Sequence, residues 1–196
     1  TPAVAAAILW MYIFHPQVGL MNYGLSLIGV SPGPLWLSHP DWSKPALIII
    51  SLWGAVGGGN MLIFIAGLQG IPRELYEAAE IDGAGNVGKF IRVTIPLLTP
   101  SIFFNLVLGL IGAFQQFTLA YVATSAGGQS SAAGGPLYST LFYVLHLYNV
   151  GWSYWEMGYA SALAWVFFVI VLIFTLVQLQ MARKWVYYEA QVGEGI

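Results

Sequence analysis

Residues able to do acid–base, nucleophilic or metal chemistry are sparse in this sequence. It has no cysteine and three histidines. The spacing of His15, His39 and Asp41 matches no metal-ligand pattern and prolines separate these residues, so we interpret them as interfacial hydrogen-bonding groups. His146, in "VLHLY", is interpreted as the polar tip of an interfacial helix rather than as a general base. The sequence therefore predicts neither a catalytic residue nor a metal site.

One glycine-rich stretch, "GGQSSAAGG" at 127–135, has the composition of a phosphate-binding loop. A nucleotide loop of that kind ends in Gly-Lys-Ser/Thr and follows a strand, and both features are missing from this stretch. We interpret it as a flexible linker. We therefore expect this chain to bind no ATP or other cofactor itself.

Amide and aromatic side chains inside long apolar stretches form a second group that can bind a ligand. An aromatic ring with amide donors and acceptors suits a sugar, whose faces are apolar and whose edges carry hydroxyls. Helix–helix packing through small residues and amides explains the positions of such residues equally well, so ligand binding and packing both stay open as interpretations. Ser161 and Trp165, on the last apolar stretch, are weaker candidates of the same kind. The candidates are Trp53, Gly57 and Asn60, which share a face of one apolar stretch, and Asn105, Gly112 and Gln116, which share a face of the next, with Gln115 adjacent.

The composition indicates where these residues must lie. Of the 196 residues, 58% are hydrophobic and only 7% are charged, whereas soluble proteins have roughly 25% charged residues. A polar shell cannot be built from so few charges, so we expect the chain to lie in a lipid bilayer. The net charge of −2 excludes nucleic acid as an expected partner.

Three uncharged stretches are long enough to cross a bilayer as helices: 46–68, 97–122 and 157–181. Residues 1–14 are apolar but shorter, so we expect them to be the end of an earlier span. Together these stretches predict an all-α, polytopic transmembrane bundle with three complete spans plus the end of an earlier span at 1–14. We also expect a compact interfacial connector at 15–45 and a short amphipathic helix at the outer interface within 137–159.

Basic residues predict the orientation, because short cytoplasmic loops carry an excess of Lys and Arg. Five of the six basic residues fall on one side of this topology, and only Lys44 falls on the other. The segment 72–95 and the C-terminus are therefore expected to be cytoplasmic, with 15–45 and 123–156 outside. The five basic residues are Arg73, Lys89, Arg92, Arg183 and Lys184.

Charge is concentrated in "PRELYEAAEIDGAGNVGKFIRVTIPLL" at 72–98, which holds three of the six basic and four of the eight acidic residues. Pro72 suits the first turn of a helix, and Gly83 supplies a left-handed residue that closes it. Asn86 is expected to cap a second short helix that ends at Pro96. Periodicity alone fits a solvated loop and a docking element equally well.

Two motifs in this segment favour docking. The sequence "EAAEIDG" at 77–83, followed after nine residues by "VTIP" at 93–96, resembles the EAA motif of inner-membrane permease subunits of ATP-binding-cassette (ABC) importers. The flanking "LQGIPRELYEAAEIDGAG" and "PLLTPSIFFN", together with "GLMNYGL", "GGPLYST" and "GYASALAW", resemble the carbohydrate-uptake branch, of the maltose and glycerol-phosphate type.

The resemblance implies a MetI-like permease fold, a single transmembrane domain over 1–196. Because the family usually has six spans, it also implies that the first two and part of the third are missing here. Segment 72–95 is then the coupling loop, seated in a groove of a cytoplasmic ATPase. The residues that the motif assigns to coupling are Glu77, Ala78, Ala79, Asp82, Gly83 and Pro96.

The implied function is transport and not catalysis. A permease subunit of an importer in a bacterial or archaeal cytoplasmic membrane forms the pathway for a sugar, polyol or sugar phosphate. Its implied partners are ATP-binding subunits that hold ATP-Mg, a second permease subunit and an extracytoplasmic solute-binding protein. The alternatives are a permease for a polyamine, phosphate or amino acid, and a structural membrane subunit.

Overall fold

Helices are the regular structure throughout residues 3–125 and 134–187, the part of the chain that the computed structural model describes. This confirms the all-α prediction. The elements are α1 (Ala3–Ile13), α2 (Leu20–Leu27), α3 (Pro40–Gly57), α4 (Gly59–Gln69), α5 (Arg73–Ile81), α6 (Asn86–Lys89), a π-helical turn (Phe90–Thr94), α7 (Ile95–Phe114), α8 (Thr118–Ser125), α9 (Tyr143–Tyr148), a second π-helical turn (Asn149–Ser153) and α10 (Met157–Trp185).

Three helical stretches within the described residues are long and apolar enough to cross a membrane: Pro40–Gln69, Asn86–Phe114 and Met157–Trp185. Their number agrees with the prediction, and the last begins at the predicted residue. Most residues of these stretches face outward, as expected of helices whose surroundings are lipid or other helices. The shorter α1 is also apolar.

The first stretch is interrupted, which the sequence analysis did not anticipate. Gly58 has φ −100° and ψ −156° and separates α3 from α4. It lies within three consecutive glycines, each of which costs about 1 kcal/mol in a helix relative to alanine. The Asn60 side chain donates to the carbonyl oxygen of Ala55 across the break, at 3.4 Å. The side-chain amide thus substitutes for a helical backbone donor.

The predicted limits of the second span were wrong at both ends. The helix already begins at Asn86, runs through Pro96 and ends at Phe114. Residues 115–117 then separate it from α8, so 97–122 is not one helix. Hydropathy alone did not reveal this break, since Gln115 and Gln116 are uncharged and are followed by further apolar residues.

The chain forms two compact units. Unit 1 consists of the described residues of Thr1–Gly54 and Gly112–Ile170, and unit 2 consists of those of Ala55–Ile111 and Val171–Ile196. In unit 1, α1 packs against α8. The buried core of this unit includes Phe14, Trp36, Leu47, Ala120 and Leu145.

The expected connector at 15–45 contains α2 and is organised by the Asn22 side chain. Asn22 Nδ2 donates to the carbonyl oxygens of Pro16 and Pro34, both at 3.1 Å. Its Oδ1 accepts from Trp36 Nε1 at 2.8 Å. Gly33 packs so closely on this amide that a Cβ would collide with it. One buried amide therefore joins three parts of the connector to the Phe14–Trp36 aromatic contact.

The connector is shorter than predicted because α3 already begins at Pro40, with Pro45 inside it. Proline is tolerated at the first helical position, where its missing N–H would have no partner.

The short helix that was predicted within 137–159 is present as α9, which continues into the second π-helical turn.

Replacing Asn22 with leucine removes all three hydrogen bonds while keeping the side-chain volume similar. Two carbonyl oxygens and the Trp36 N–H then lose their partner, and each buried group left unpaired costs about 1–3 kcal/mol. We expect the apparent Tm of the full-length subunit in its assembled complex to fall by roughly 5 °C or more. The control is Ser26→Ala, which removes one exposed bond to the Tyr23 carbonyl oxygen. Equal Tm values for the two variants would contradict the role assigned to Asn22.

Candidate functional site

The charged segment folds in unit 2 as a helix, a turn and a second helix. Pro72 stands immediately before α5 with φ −60° and ψ 135°, so it is the N-cap residue and not part of the first turn as predicted. Glu74 lies in the first turn, where the positive end of the helix dipole stabilises a carboxylate.

Gly83 ends α5 in the predicted left-handed conformation, with φ +78°. The Gly83 N–H donates to the Glu80 carbonyl oxygen at 3.0 Å, and the Ala84 N–H donates to that of Ala79 at 2.9 Å. This pair of bonds is a Schellman motif, which satisfies carbonyl groups that the last turn of a helix leaves free. A Cβ at Gly83 would meet no atom within 4 Å, so only the backbone angle selects glycine here.

Two side-chain contacts brace α5 against the second helix, and sequence reasoning missed both. The hydroxyl groups of Tyr76 and Thr94 lie 2.9 Å apart in a hydrogen bond, and Thr94 is buried. Lys89 Nζ lies 3.2 Å from Glu80 Oε2. An ion pair with one exposed partner contributes ~1 kcal/mol at most, but together the two contacts fix α5 at its middle and its end.

Three of the six residues that the motif assigns to coupling are exposed on α5 or at its C-cap. These are Glu77, Ala78 and Asp82, and Glu77 takes part in no ion pair within the described residues. Ala79 is half-buried, so it lies on a different side of the helix from Ala78. The two alanines of the motif therefore divide between an exposed and a packed side of α5.

Large apolar side chains are exposed in the same segment as these carboxylates. Ile81 is 87% exposed, and Val87, Phe90 and Ile91 are also exposed. Exposed apolar side chains together with charge are typical of a surface that binds another protein. We call these four residues, with Glu77, Ala78 and Asp82, the loop surface.

Pro96 does not end the second helix and does not belong to the loop surface. It is the second residue of α7, which follows directly on the π-helical turn Phe90–Thr94. In that turn the Ile95 N–H donates to the Phe90 carbonyl oxygen, five residues back. A proline ring collides with the carbonyl group four residues earlier in a regular helix, and the wider π-helical turn relieves that contact.

The amide and aromatic candidates of unit 1 do not form one cluster. Trp53 is exposed and contacts Trp10 edge to face, with ring centroids 6.0 Å apart. Gln116 Nε2 donates to Ser51 Oγ at 3.0 Å, which joins the second residue after α7 to α3. Gln115 and Gly112 are exposed and have no such contact among the described residues.

A cavity of about 490 Å³ lies on α10 in unit 1. It is lined by Ser161, Ala164, Trp165 and Phe168, and the rings of Trp165 and Phe168 meet edge to face at 5.9 Å. Its lining residues lie at i, i+3, i+4 and i+7 of one helix, so it is an open depression on a single face of α10. Two weaker candidates from the sequence, Ser161 and Trp165, line this depression.

In unit 2, Asn60 bonds across the glycine break to Ala55 of α3, and Asn105 bonds within α7. Asn105 Nδ2 donates to the Ser101 carbonyl oxygen at 2.9 Å, while its buried Oδ1 has no partner among the described residues. The predicted face of Trp53, Gly57 and Asn60 is not continuous, because Gly57 ends α3 and Asn60 follows the break. The predicted face that ended in Gln116 is likewise wrong, because α7 ends at Phe114.

The histidines make local contacts. His15 Nδ1 accepts the N–H groups of Gln17 and Val18, and His39 Nδ1 lies 3.6 Å from Asp41 Oδ2. Within residues 3–125 and 134–187, no three His, Cys, Asp or Glu residues lie close enough together to hold a metal. The stretch that resembled a phosphate loop falls almost entirely outside the described residues.

Solved structures and named relatives resemble most of the chain. It superimposes with a TM-score of 0.79 on a chain of a bacterial ABC transporter involved in the import of alginate, at 25% identity, over 93% of this chain and 60% of that one. It is 44% identical over 189 residues to the probable ABC transporter permease protein YesP of Bacillus subtilis, which is 96% of this chain and 58% of that protein.

A second relative, the trehalose/maltose permease protein MalF of Thermococcus litoralis, is 37% identical over 93% of this chain and 58% of its own length. The chain thus spans a little over half the length of these relatives. A family model described as "Binding-protein-dependent transport system inner membrane component" matches residues 1–187. The chain belongs to this family of inner-membrane transport components.

Proposed function

We propose that this chain is a permease subunit of an ABC importer that forms part of the pathway for a sugar-like solute. The loop surface is the main support for this proposal. It combines exposed charge with exposed apolar side chains on a helix that two side-chain contacts brace, in a member of this transport family. A structural membrane subunit would give the same hydropathy but would leave the loop surface without a role.

The proposed partner of the loop surface is a cytoplasmic ATP-binding subunit that holds ATP-Mg. Because the loop connects two membrane stretches and is internally braced, a displacement of α5 is transmitted to α4 and α7 without any chemistry in this chain. A second permease subunit and an extracytoplasmic solute-binding protein complete the proposed assembly. The alginate transporter has been crystallised with a periplasmic protein that carries an alginate pentasaccharide, which supports this arrangement.

A sugar or sugar derivative is the proposed solute. Relatives named for sulfoquinovosyl glycerol, trehalose/maltose and arabinooligosaccharide transport support it. The α10 cavity supports it independently, since Trp165 offers a face for a sugar ring and Ser161 offers a hydroxyl group. A non-sugar solute such as a polyamine remains the competing proposal, and uptake measurements distinguish the two.

Reversing the charge of the loop surface should uncouple transport. The exposed Glu77 carboxylate is proposed to pair with a basic residue in the ATPase groove. Glu77→Lys places a positive charge against that residue, and breaking a buried interfacial charge pair commonly costs ~2–5 kcal/mol. Gly83→Val forces a β-branched residue into φ +78° and tilts the second helix. We expect both variants to insert normally but to lose co-purification of the ATPase and ATP-driven uptake in vesicles.

Two matched variants serve as controls for this experiment. Glu156→Lys changes an exposed carboxylate outside the loop, and Gly85→Val changes a glycine with φ −68° and open space around its Cβ. Both should retain association and uptake. A charge-reversing change in the ATPase groove should partly restore Glu77→Lys. Normal uptake in both test variants would refute the coupling role of the loop.

The proposed orientation places the loop in the cytoplasm. Residues 1–196 contain no cysteine, so single cysteines at Asn86 and Gln129 report topology in the full-length subunit once any cysteine outside these residues has been replaced with serine. A membrane-impermeant maleimide should label Gln129→Cys in intact cells and Asn86→Cys only in inverted vesicles. Labelling of both positions from the same side would overturn the orientation.

The proposed pathway is tested by removing polar and aromatic groups from unit 1. Trp165→Ala deletes the ring of the α10 cavity, and Gln116→Leu removes the bond to Ser51. We expect uptake of a radiolabelled disaccharide to fall at least ~10-fold for Trp165→Ala, with ATPase association unchanged. Uptake kinetics equal to wild type in both variants would show that these residues only pack.

A further inference from the structure

The helix α5 is packed against the rest of unit 2 along one narrow side. Of its nine residues only Tyr76 and Ala79 are not exposed, and these two lie one turn apart on the same side of the helix. Glu77 and Ala78, which the motif assigns to coupling, are exposed instead. Two of the residues proposed to meet the ATPase are therefore distinct from those that attach α5 to its own chain.

A hydrogen bond between two hydroxyl groups lies on the packed side of α5. The oxygens of Tyr76 and Thr94 are 2.9 Å apart, and Thr94 is only 6% exposed, so water competes little for this bond. The other side-chain polar contact of α5 among the described residues is the ion pair of Glu80 and Lys89. The Glu80 side chain is 71% exposed, and solvent and salt screen such a pair. The hydroxyl bond is therefore the better protected of the two links.

Thr94 lies immediately before a membrane helix. It is the last residue of the first π-helical turn, and Ile95 begins α7 directly after it. Such turns within helices occur frequently at functional sites. Tyr76 and Thr94 are 18 residues apart, and the covalent path between them passes through the turn that Gly83 forms. The hydroxyl bond joins α5 to the start of α7 without passing through that turn.

We propose that Tyr76 and Thr94 are positioning residues for coupling, and that their hydrogen bond makes α7 follow a displacement of α5. This inference rests on the proposed coupling role of the loop and adds two residues to those that the motif assigns to it. Neither residue belongs to the loop surface. Loss of the bond should therefore leave the ATPase docked but lower the amount of solute moved for each ATP hydrolysed.

The test removes each hydroxyl group while keeping the size of the side chain nearly constant. Tyr76→Phe and Thr94→Val each break the bond in the full-length subunit, assembled with its ATPase and reconstituted in vesicles. We expect ATPase co-purification at the wild-type level, while uptake of a radiolabelled disaccharide per ATP hydrolysed falls roughly 2–10-fold, the range that corresponds to one intramolecular hydrogen bond. Because both changes remove the same bond, the double variant should be no worse than either single variant.

Matched controls separate positioning from a general loss of stability, which would lower uptake and ATP hydrolysis together and leave their ratio unchanged. Thr94→Ser keeps a hydroxyl group and should retain the wild-type ratio. Tyr143→Phe removes a 2.8 Å bond to the Leu163 carbonyl oxygen. Thr175→Val removes a 2.9 Å bond to the Val171 carbonyl oxygen. Both of these bonds lie outside the loop, so these two variants should also retain the ratio.

The outcomes distinguish this inference from the proposed function. If Glu77→Lys loses uptake while Tyr76→Phe and Thr94→Val keep the wild-type ratio, the loop couples but its hydroxyl bond does not transmit the movement, and the inference is wrong. Loss of ATPase co-purification in these two variants, or additive losses in the double variant, would contradict it as well. Normal uptake in both Glu77→Lys and Gly83→Val would instead refute the coupling role itself, and this inference with it.

Discussion

Hydrocarbon offers no hydrogen bonds to a polypeptide backbone, and this constraint governs the membrane stretches of the chain. Each peptide group there must find a partner within the protein, which the helix provides residue by residue. Where the helix is disturbed, the chain supplies a local substitute. Asn60 bonds to the Ala55 carbonyl oxygen beside the glycine break. The break at Gly58 is thus compensated by a neighbouring side chain.

Outside the hydrocarbon the same requirement is relaxed, because water can satisfy backbone and side chains. The charge of the sequence gathers at 72–98 for this reason, together with apolar residues that lie exposed on the loop surface. Three contacts within the segment hold α5 in place: the Schellman motif at Gly83, the Glu80–Lys89 ion pair and the Tyr76–Thr94 hydrogen bond. The proposed mechanical coupling needs a braced element at this position.

The sequence was sufficient for features that depend on local pattern. The start of α10, the all-helical class and the left-handed Gly83 all follow from apolar runs and from glycine after a helical pattern. Features that depend on distant partners were not predictable: Tyr76 and Thr94 are 18 residues apart, and the partners of Asn22 are six to 14 residues away. Pro96 was misjudged because a proline rule for regular helices takes no account of a π-helical turn before it.

The same logic explains which site candidates the structure places together. Glu77, Ala78, Asp82 and Gly83 belong to one short helix and its closing turn, so their exposure follows from local geometry. The pathway faces assumed helices without breaks, and the interruptions at Gly58 and after Phe114 separate residues that an ideal helix would align. Residue spacing therefore predicts a shared face only for residues that lie within one unbroken helix.

The turn at Gly83 selects its residue by handedness and not by size. Its φ of +78° is unfavourable for L-amino acids, yet the space around the glycine is empty. For a D-amino acid the same backbone angles are the ordinary right-handed helical ones in mirror image. A D-alanine at this position would therefore fit without strain and would even stiffen the turn, since it has fewer conformations to lose on folding than glycine. The turn between the two loop helices therefore selects its residue by chirality alone.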